Sequence, residues 1–174
     1  MIGIFGGSFN PPHVGHIIAV TYALTMGDFE QIIIVPSFSH PFAKELVGYD
    51  HRLRMCRIAL DSLGSIVKVS DIERELPTPS YMINTLRALQ EQFVAEELRL
   101  ILGNDCFAER ERWHEWEAIE QIAPGFVLSR DTPRQIFPDI SSTIIRELLS
   151  KGHAINHLVP PAVVEYIYRH GLYQ

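Results

Sequence analysis

The stretch IGIFGGSFNPPHVGH, residues 2–16, decides the fold of this chain. Its apolar start, residues 2–5, ends at two glycines, which is typical of a buried strand followed by a turn. Glycines there let backbone N–H groups approach an anion without a Cβ in between. A further apolar run begins at Ile17, and we predict a helix over residues 17–24. Strand, glycine turn and helix together indicate the start of an α/β domain.

The rest of the chain repeats this alternation. We predict further strands at 32–35, 66–69, 98–102 and 126–128, and helices at 51–63, 80–93, 114–122, 141–149 and 161–170, with Asp50, Ser80 and Ser141 or Ser142 as N-caps. The strands are continuous apolar runs, which is typical of strands buried on both faces. The pattern predicts a Rossmann-like, doubly wound parallel sheet with helices on both faces and a C-terminal helical segment. Ligands of such sheets bind at the carboxyl ends of the strands.

The 174 residues are expected to form one domain, 1–174, whose helical C-terminal part is 141–174. A net charge of -6 argues against a nucleic-acid partner. The N-terminus resembles no signal peptide and no apolar run could span a membrane, so we expect a cytoplasmic protein without a membrane partner. Cys56 and Cys106 are predicted to be small apolar packing residues rather than a disulfide or zinc site. Residues 51–54, His-Arg-Leu-Arg, are predicted to form a structural and solvated helix start.

The loop after the first strand carries two histidines, His13 and His16, at a spacing that places them on one face of a helix. Gly15 between them keeps that face open. Beside a helix N-terminus, which attracts anions, two imidazoles can donate hydrogen bonds to phosphate oxygens. A tight turn with two solvated histidines is the alternative. The combination with Gly-Gly-Ser and Pro-Pro favours phosphate binding, although the loop matches neither a Walker loop nor GxGxxG.

Three later segments could add to this site. Residues 141–146, Ser-Ser-Thr-Ile-Ile-Arg, form a second anion-binding helix start, or else a capped helix with a surface arginine. Asp105 follows the fourth strand and could accept hydrogen bonds from ribose hydroxyls, or form an Asx turn. Trp113 follows a polar run, and its flat face could stack on a pyridine ring or pack within a helix, as Trp116 is expected to do.

The string GGSFNPPHVGH resembles the signature of the HxGH nucleotidyltransferase superfamily. Other stretches narrow the resemblance to the bacterial nicotinate mononucleotide adenylyltransferases: VSDIE at 69–73, PSY at 79–81 with TL at 85–86, ILGND at 101–105, WHEW at 113–116, ISSTIIR at 140–146 and the end of the chain at 166–173. The resemblance covers nearly the whole chain. It implies adenylyl transfer from ATP to nicotinate mononucleotide, which yields nicotinate adenine dinucleotide and pyrophosphate for NAD biosynthesis.

The resemblance also implies residue roles. The expected catalytic residues are His13, His16, Lys44 and Arg146. The expected ATP-binding residues are Gly6, Gly7, Ser8, Phe9, His13, His16, Gly103, Asp105, Ile140, Ser141, Thr143 and Arg146. Trp113 would stack on the nicotinate ring, while the main-chain amides of Ile83 and His114 would hold its carboxylate. Mg²⁺ is expected to arrive with ATP, without a dedicated protein metal site.

Two departures and two alternatives accompany these expectations. Met82 stands where the family usually has threonine, and the loop 39–44, Ser-His-Pro-Phe-Ala-Lys, spaces Lys44 differently from the family's Pro-Pro-His-Lys. One alternative is a related transferase that acts on nicotinamide mononucleotide or pantetheine phosphate. The other is a nucleotide-binding regulator that does not turn over. The sequence leaves homo-oligomer formation open.

Overall fold

The central feature of the computed structural model, which describes residues 1–39, 46–128 and 139–173, is one five-stranded sheet. All neighbouring strands are parallel, and their order is β3-β2-β1-β4-β5. The strands are β1 (Ile2–Gly7), β2 (Gln31–Pro36), β3 (Val67–Val69), β4 (Leu98–Gly103) and β5 (Gly125–Leu128). The chain therefore starts in the middle of the sheet, winds outward to β3 and returns beside β1. This arrangement confirms the predicted Rossmann-like fold.

Helices cover both faces of the sheet. They are α1 (Val14–Met26), α2 (Tyr49–Leu60), α3 (Met82–Gln92), α4 (Asn104–Ala108), α5 (Trp116–Ile122), α6 (Ser142–Ser150) and α7 (Pro161–Arg169), with 3₁₀ turns at Asp61–Ile66, Ile72–Glu75 and Arg110–Arg112. One apolar cluster joins the sheet to α1, α2, α6 and α7, and the other joins it to α3 and α5. Within the described residues, no helix is long and apolar enough to cross a bilayer.

Strand β2 shows why its residues 32–35 are all apolar. Ile32 and Ile34 belong to the first cluster, whereas Ile33 and Val35 belong to the second, and all four are almost completely buried. Because successive side chains of a strand point to opposite faces, a strand covered on both faces has no solvated position. The continuous apolar runs in the sequence are the direct consequence.

Two predicted helix caps are wrong. Helix α2 begins at Tyr49, so Asp50 lies in its first turn and pairs with Arg74 instead of capping. Helix α3 begins at Met82, because the backbone N–H of Ser80 donates to the carbonyl of Ser39 and holds Ser80 outside the helix. Ser141 does cap α6, and its hydroxyl accepts the N–H of Ile144 at 3.2 Å.

The two cysteines differ. Cys56 is buried in α2, and burial raises the pKa of its thiol. Cys106 is exposed on α4, which contradicts the predicted packing role. Phe107, the next residue, is the one that packs against the core from this single-turn helix.

Candidate active site

The candidate site lies where β1 and β4 are neighbours. The chain leaves β1 toward one side of the sheet and β4 toward the other, so a crevice opens between their carboxyl ends. The loop of residues 7–13, here called the phosphate loop, leaves β1 at this point, and Gly103 ends β4 beside it. The two strands thus place the two predicted ATP-binding segments at one edge.

The backbone of the phosphate loop is held from behind through its carbonyl groups. The carbonyl of Gly7 accepts the backbone N–H of Ser37 at 2.9 Å, and that of Ser8 accepts Nη1 of Arg52 at 2.9 Å. In a trans peptide the N–H points opposite to the carbonyl. The amides of Ser8 and Phe9 therefore face away from β2 and α2, as donors to an anion must.

Arg52 is the least expected part of this support. Its side chain is 1% exposed, and Nε donates to the carbonyl of Val47 at 2.8 Å while Nη1 holds Ser8. Burial lowers the pKa of the guanidinium. At this position the predicted structural role is therefore confirmed, whereas the predicted solvation is wrong. Arg52 precedes Met55 and Cys56 by three and four residues, so it shares the buried face of α2.

Phe9 supports the loop from inside. Its backbone has a φ of 47°, a left-handed conformation that is costly for a residue with a Cβ. Its ring is 2% exposed, meets Phe5 edge-on at 5.8 Å between centroids and lies 4.8 Å from the ring of His16. The buried ring stabilises the turn, so Phe9 can contact a nucleotide only through its backbone.

The structure brings the His13 and His16 rings together, with centroids 3.8 Å apart. The reason is helix capping rather than a shared helical face. His13 is the extended N-cap of α1, and its N–H donates to Nδ1 of His16 at 3.1 Å. A neutral His16 must then carry its proton on Nε2, which makes Nε2 a hydrogen-bond donor. A Cβ on Gly15 would lie 2.9 Å from Nδ1 of His13, so glycine is required for this packing.

The start of α6 is docked directly onto the phosphate loop. The hydroxyl of Ser142 donates to the carbonyl of Pro11 at 2.8 Å, and Nη1 of Arg146 donates to the carbonyl of Asn10 at 2.8 Å. Nη2 of Arg146 also reaches the hydroxyl of Thr143 at 3.2 Å. The two predicted anion-binding helix starts, 130 residues apart in sequence, thus form one surface.

The side chains of the predicted motif at 140–146 have different structural roles. Ser141 uses its hydroxyl for capping, Ser142 docks the helix, and Thr143 is exposed. Ile140 is half-buried and packs against the core cluster beneath α1. A nucleotide can meet this segment through Thr143, Arg146 and the helix-start amides.

The helix N-termini at this edge are electrostatically suited to anions. Helices α1, α3 and α6 have no acidic residue in their first turns. The partial positive charge of each N-terminus is therefore not compensated from within its own helix. By contrast, α2, α4 and α5 carry Asp50, Asp105 and Glu117 there.

Gly103 and Asp105 lie across the crevice from the phosphate loop, at the carboxyl end of β4. A Cβ on Gly103 would lie 2.4 Å from Oδ1 of Asp105, so the carboxylate folds back over the glycine. Asp105 is exposed, and no side-chain bond caps α4. The carboxylate is therefore presented to solvent at the carboxyl end of β4.

The residues predicted for the second substrate gather around the start of α3. Trp113 is half-buried and meets Trp116 edge-on at 5.9 Å, while the ring of His114 lies 4.5 Å from that of Tyr81. The side chain of Ile83 is completely buried, so only its helix-start amide could contact a ligand. Trp116 is 8% exposed, which confirms its packing role.

Met82 connects this group to the carboxyl end of β1, next to the phosphate loop. A Cβ on Gly6 would lie 2.3 Å from the terminal methyl of Met82, so the methyl rests on the glycine. Lys44, the remaining predicted catalytic residue, lies outside the described residues.

The sequence did not predict the supporting contacts of four residues, namely Ser37, Arg52, Ser142 and the side chain of Asn10. Only Arg52 had a readable signal, an arginine on the apolar face of a helix. The others act through backbone carbonyls or through partners far away in sequence, which leave no local pattern.

Comparisons with known proteins show to which family the chain is similar. The cytidylyltransferase-like family profile matches residues 4–148. A relative from Myxococcus xanthus, named probable nicotinate-nucleotide adenylyltransferase, is 34% identical over 99% of this chain and 94% of its own. A relative of the same name from Anaeromyxobacter dehalogenans is 36% identical over 99% of this chain and 96% of its own.

A solved structure has the same fold. The nicotinic acid mononucleotide adenylyltransferase of Plasmodium falciparum, in complex with NaAD, superimposes with a TM-score of 0.80 at 21% identity, covering 99% of this chain and 96% of that chain.

Proposed function

This chain belongs to the cytidylyltransferase-like family, and we propose that it transfers the adenylyl group of ATP to nicotinate mononucleotide, releasing pyrophosphate. The curated relatives are named for that activity over the whole chain length, in agreement with the function predicted from the sequence. The observation that carries the proposal is the docking of α6 on the phosphate loop through Arg146 and Ser142. It joins two anion-binding helix starts into a surface that fits a triphosphate.

In this reaction a phosphate oxygen of the mononucleotide attacks the α-phosphorus of ATP, and the bond to the bridging oxygen of pyrophosphate breaks. The nucleophile is largely ionised at neutral pH, so no general base is needed. Catalysis then depends on alignment and on stabilisation of negative charge in the transition state. The product is nicotinate adenine dinucleotide.

The geometry supports distinct roles for the two histidines and the arginine. Nε2 of His16 donates to an α-phosphate oxygen, because the backbone N–H of His13 fixes the opposite ring nitrogen as an acceptor. His13, which is 6% exposed, chiefly positions His16 and closes the site at the helix start. Arg146 bridges the loop and the leaving pyrophosphate, since its guanidinium has five N–H donors and, among the residues that the structure describes, Asn10 and Thr143 engage two of them.

The residues present do not suggest a protein cage for Mg²⁺. Among residues 1–39, 46–128 and 139–173, there is no group of three or more His, Cys, Asp or Glu side chains that could hold a metal ion. We propose, as the sequence predicts, that Mg²⁺ enters on the phosphates of ATP and neutralises charge there, because this cation keeps water and phosphate ligands.

The acceptor can be tested directly. Pyrophosphate release is measured with MgATP and, in turn, nicotinate mononucleotide, nicotinamide mononucleotide and pantetheine phosphate. We expect the highest kcat/KM with nicotinate mononucleotide. Higher activity with either other acceptor would replace the proposed substrate, and tight ATP binding without pyrophosphate release would identify a regulator.

Trp113→Ala is expected to raise the KM for nicotinate mononucleotide by about tenfold, the equivalent of one aromatic stacking contact. The kcat should change little, because the ring binds a part of the substrate that does not react. Steady-state kinetics at saturating ATP measure both constants. Trp113→Phe, which keeps a stacking face, is the matched control and should recover most of the affinity. An unchanged KM in Trp113→Ala would remove this residue from the pocket.

A further inference from the structure

Asn10 is the point at which three distant parts of the chain meet. The residue is 1% exposed, and its side-chain Oδ1 accepts two hydrogen bonds, from the N–H of Val47 at 3.2 Å and from the hydroxyl of Tyr173 at 2.9 Å. Its backbone carbonyl accepts Arg146. The conformation of the phosphate loop at Asn10 therefore depends on the end of the chain, 163 residues away.

The route of the chain end to Asn10 is built by a specific helix terminus. After α7, Gly171 adopts a φ of 59°, and the N–H of Leu172 donates to the carbonyl of Ile167 at 3.0 Å. The N–H of Gly171 donates to the carbonyl of Tyr168 at 3.3 Å. These two bonds form a Schellman motif, in which Leu172 packs against the core. The motif fixes the direction in which Tyr173 leaves the helix, whereas chain ends that lack such ties are usually poorly ordered.

The bond between Tyr173 and Asn10 has one direction. The backbone N–H of Val47 can only donate, so Asn10 must turn its oxygen, not its NH₂ group, toward Val47, which leaves a single side-chain orientation. The hydroxyl of Tyr173 meets the same oxygen and therefore acts as the donor. Burial, the largest influence, raises the pKa of this phenol, so it stays protonated throughout the neutral pH range.

A change at Asn10 would reach the groups that bind phosphate. Phe9, whose amide faces away from α2, precedes Asn10, and the Arg146 bond to the Asn10 carbonyl holds α6 in place. We propose that Tyr173 is a positioning residue for adenylyl transfer, whose hydroxyl fixes Asn10 and so holds the phosphate loop and α6 in the geometry that binds ATP. This inference rests on the proposed function, because the ligand of the loop is taken to be the triphosphate of ATP.

The decisive variant is Tyr173→Phe, which removes one hydroxyl and keeps the ring that packs against the core. We expect kcat/KM for ATP to fall about three- to tenfold, the effect of one lost hydrogen bond. The KM for nicotinate mononucleotide should stay at the wild-type value, because the predicted ring site lies on Trp113 and α3. The Tm should fall by no more than about 3 °C, since Asn10 keeps its bond to Val47.

Two further variants separate positioning from general stability. Asn10→Asp keeps the acceptor oxygen and should retain most of the ATP kcat/KM. Asn10→Ala removes the acceptor, and adding Tyr173→Phe to it should cause no further loss, because the two residues act through one contact. Tyr168→Phe is the matched control, since this tyrosine lies on α7 with half of its surface exposed, and we expect wild-type kinetics.

A failure of the inference about Tyr173 can be told apart from a failure of the proposed function. The Kd of a non-hydrolysable ATP analogue, measured by calorimetry, requires no turnover and should rise in Tyr173→Phe. If the wild type binds the analogue without transferring adenylyl groups, the proposed function fails and the Kd ratio alone decides the inference. Wild-type kinetics and Kd in Tyr173→Phe would overturn the inference. So would an equal loss of affinity for both substrates, or a wild type that does not bind the analogue.

Discussion

Replacing His16 with alanine is expected to lower kcat by about 100-fold or more, with the KM for nicotinate mononucleotide nearly unchanged. The physical reason is the fixed orientation of the imidazole. The N–H of His13 donates to Nδ1, so Nε2 is a preorganised donor at the start of α1. Such a donor stabilises charge that develops only in the transition state, and its loss therefore appears in kcat. Pyrophosphate release under saturating substrates measures the effect.

Controls decide whether the loss is chemical. His16→Gln keeps an N–H donor and should recover part of the lost rate, whereas His153→Ala alters an exposed histidine beyond α6 and should leave turnover unchanged. The Tm of each variant shows that it is folded. A folded His16→Ala protein with wild-type kcat would exclude His16 from catalysis.

Arg52→Met is expected to reduce the free energy of unfolding by about 3 kcal/mol and to lower kcat/KM for ATP. Methionine fills a similar volume but leaves the carbonyls of Ser8 and Val47 without a donor, and each unpaired buried carbonyl costs about 1–3 kcal/mol. Removing the buried guanidinium also removes the cost of its desolvation. The expected loss of unfolding free energy is therefore smaller than the sum of the largest penalties for the two carbonyls. The Ser8 carbonyl is then free to turn, and the Phe9 amide turns with it.

Denaturant unfolding and ATP kinetics test this prediction together. Arg52→Lys keeps one donor group and should lie between wild type and Arg52→Met. Arg54→Met is the matched control, because Arg54 is exposed on the same helix. Equal stability of Arg52→Met and the wild type would show that the two carbonyls do not need the guanidinium.

Much of the fold was readable from residue patterns alone. The apolar run at 32–35 predicted a buried strand, since only a strand covered on both faces is apolar at every position. Helix starts were less accurate. Asp50 and Ser80 have the chemistry of N-caps, yet contacts with Arg74 and Ser39 decided their roles. Capping residues have several possible partners, and tertiary neighbours select among them.

For the candidate site, too, the sequence predicted some features and tertiary contacts decided others. Its predicted residues carry recognisable chemistry, and the strand order brings the segments of Gly7 and Gly103 to adjacent strand ends. The sequence predicted the glycines of this segment, but not the groups that hold the phosphate loop from behind. Arg52 was interpreted as part of a structural and solvated helix start, and only the solvation is wrong. Its burial depends on two backbone carbonyls, and carbonyls carry no sequence signal.

By itself, the sequence determined the alternation of strands and helices, the glycine loop and the histidine pair, because periodicity, backbone freedom and side-chain chemistry are local properties. Only the tertiary structure decided how the phosphate loop is held. Arg52, Arg146 and Tyr173 approach it from α2, α6 and the chain end through single hydrogen bonds. Such bonds depend on distance and direction in space, and separation along the chain does not encode them.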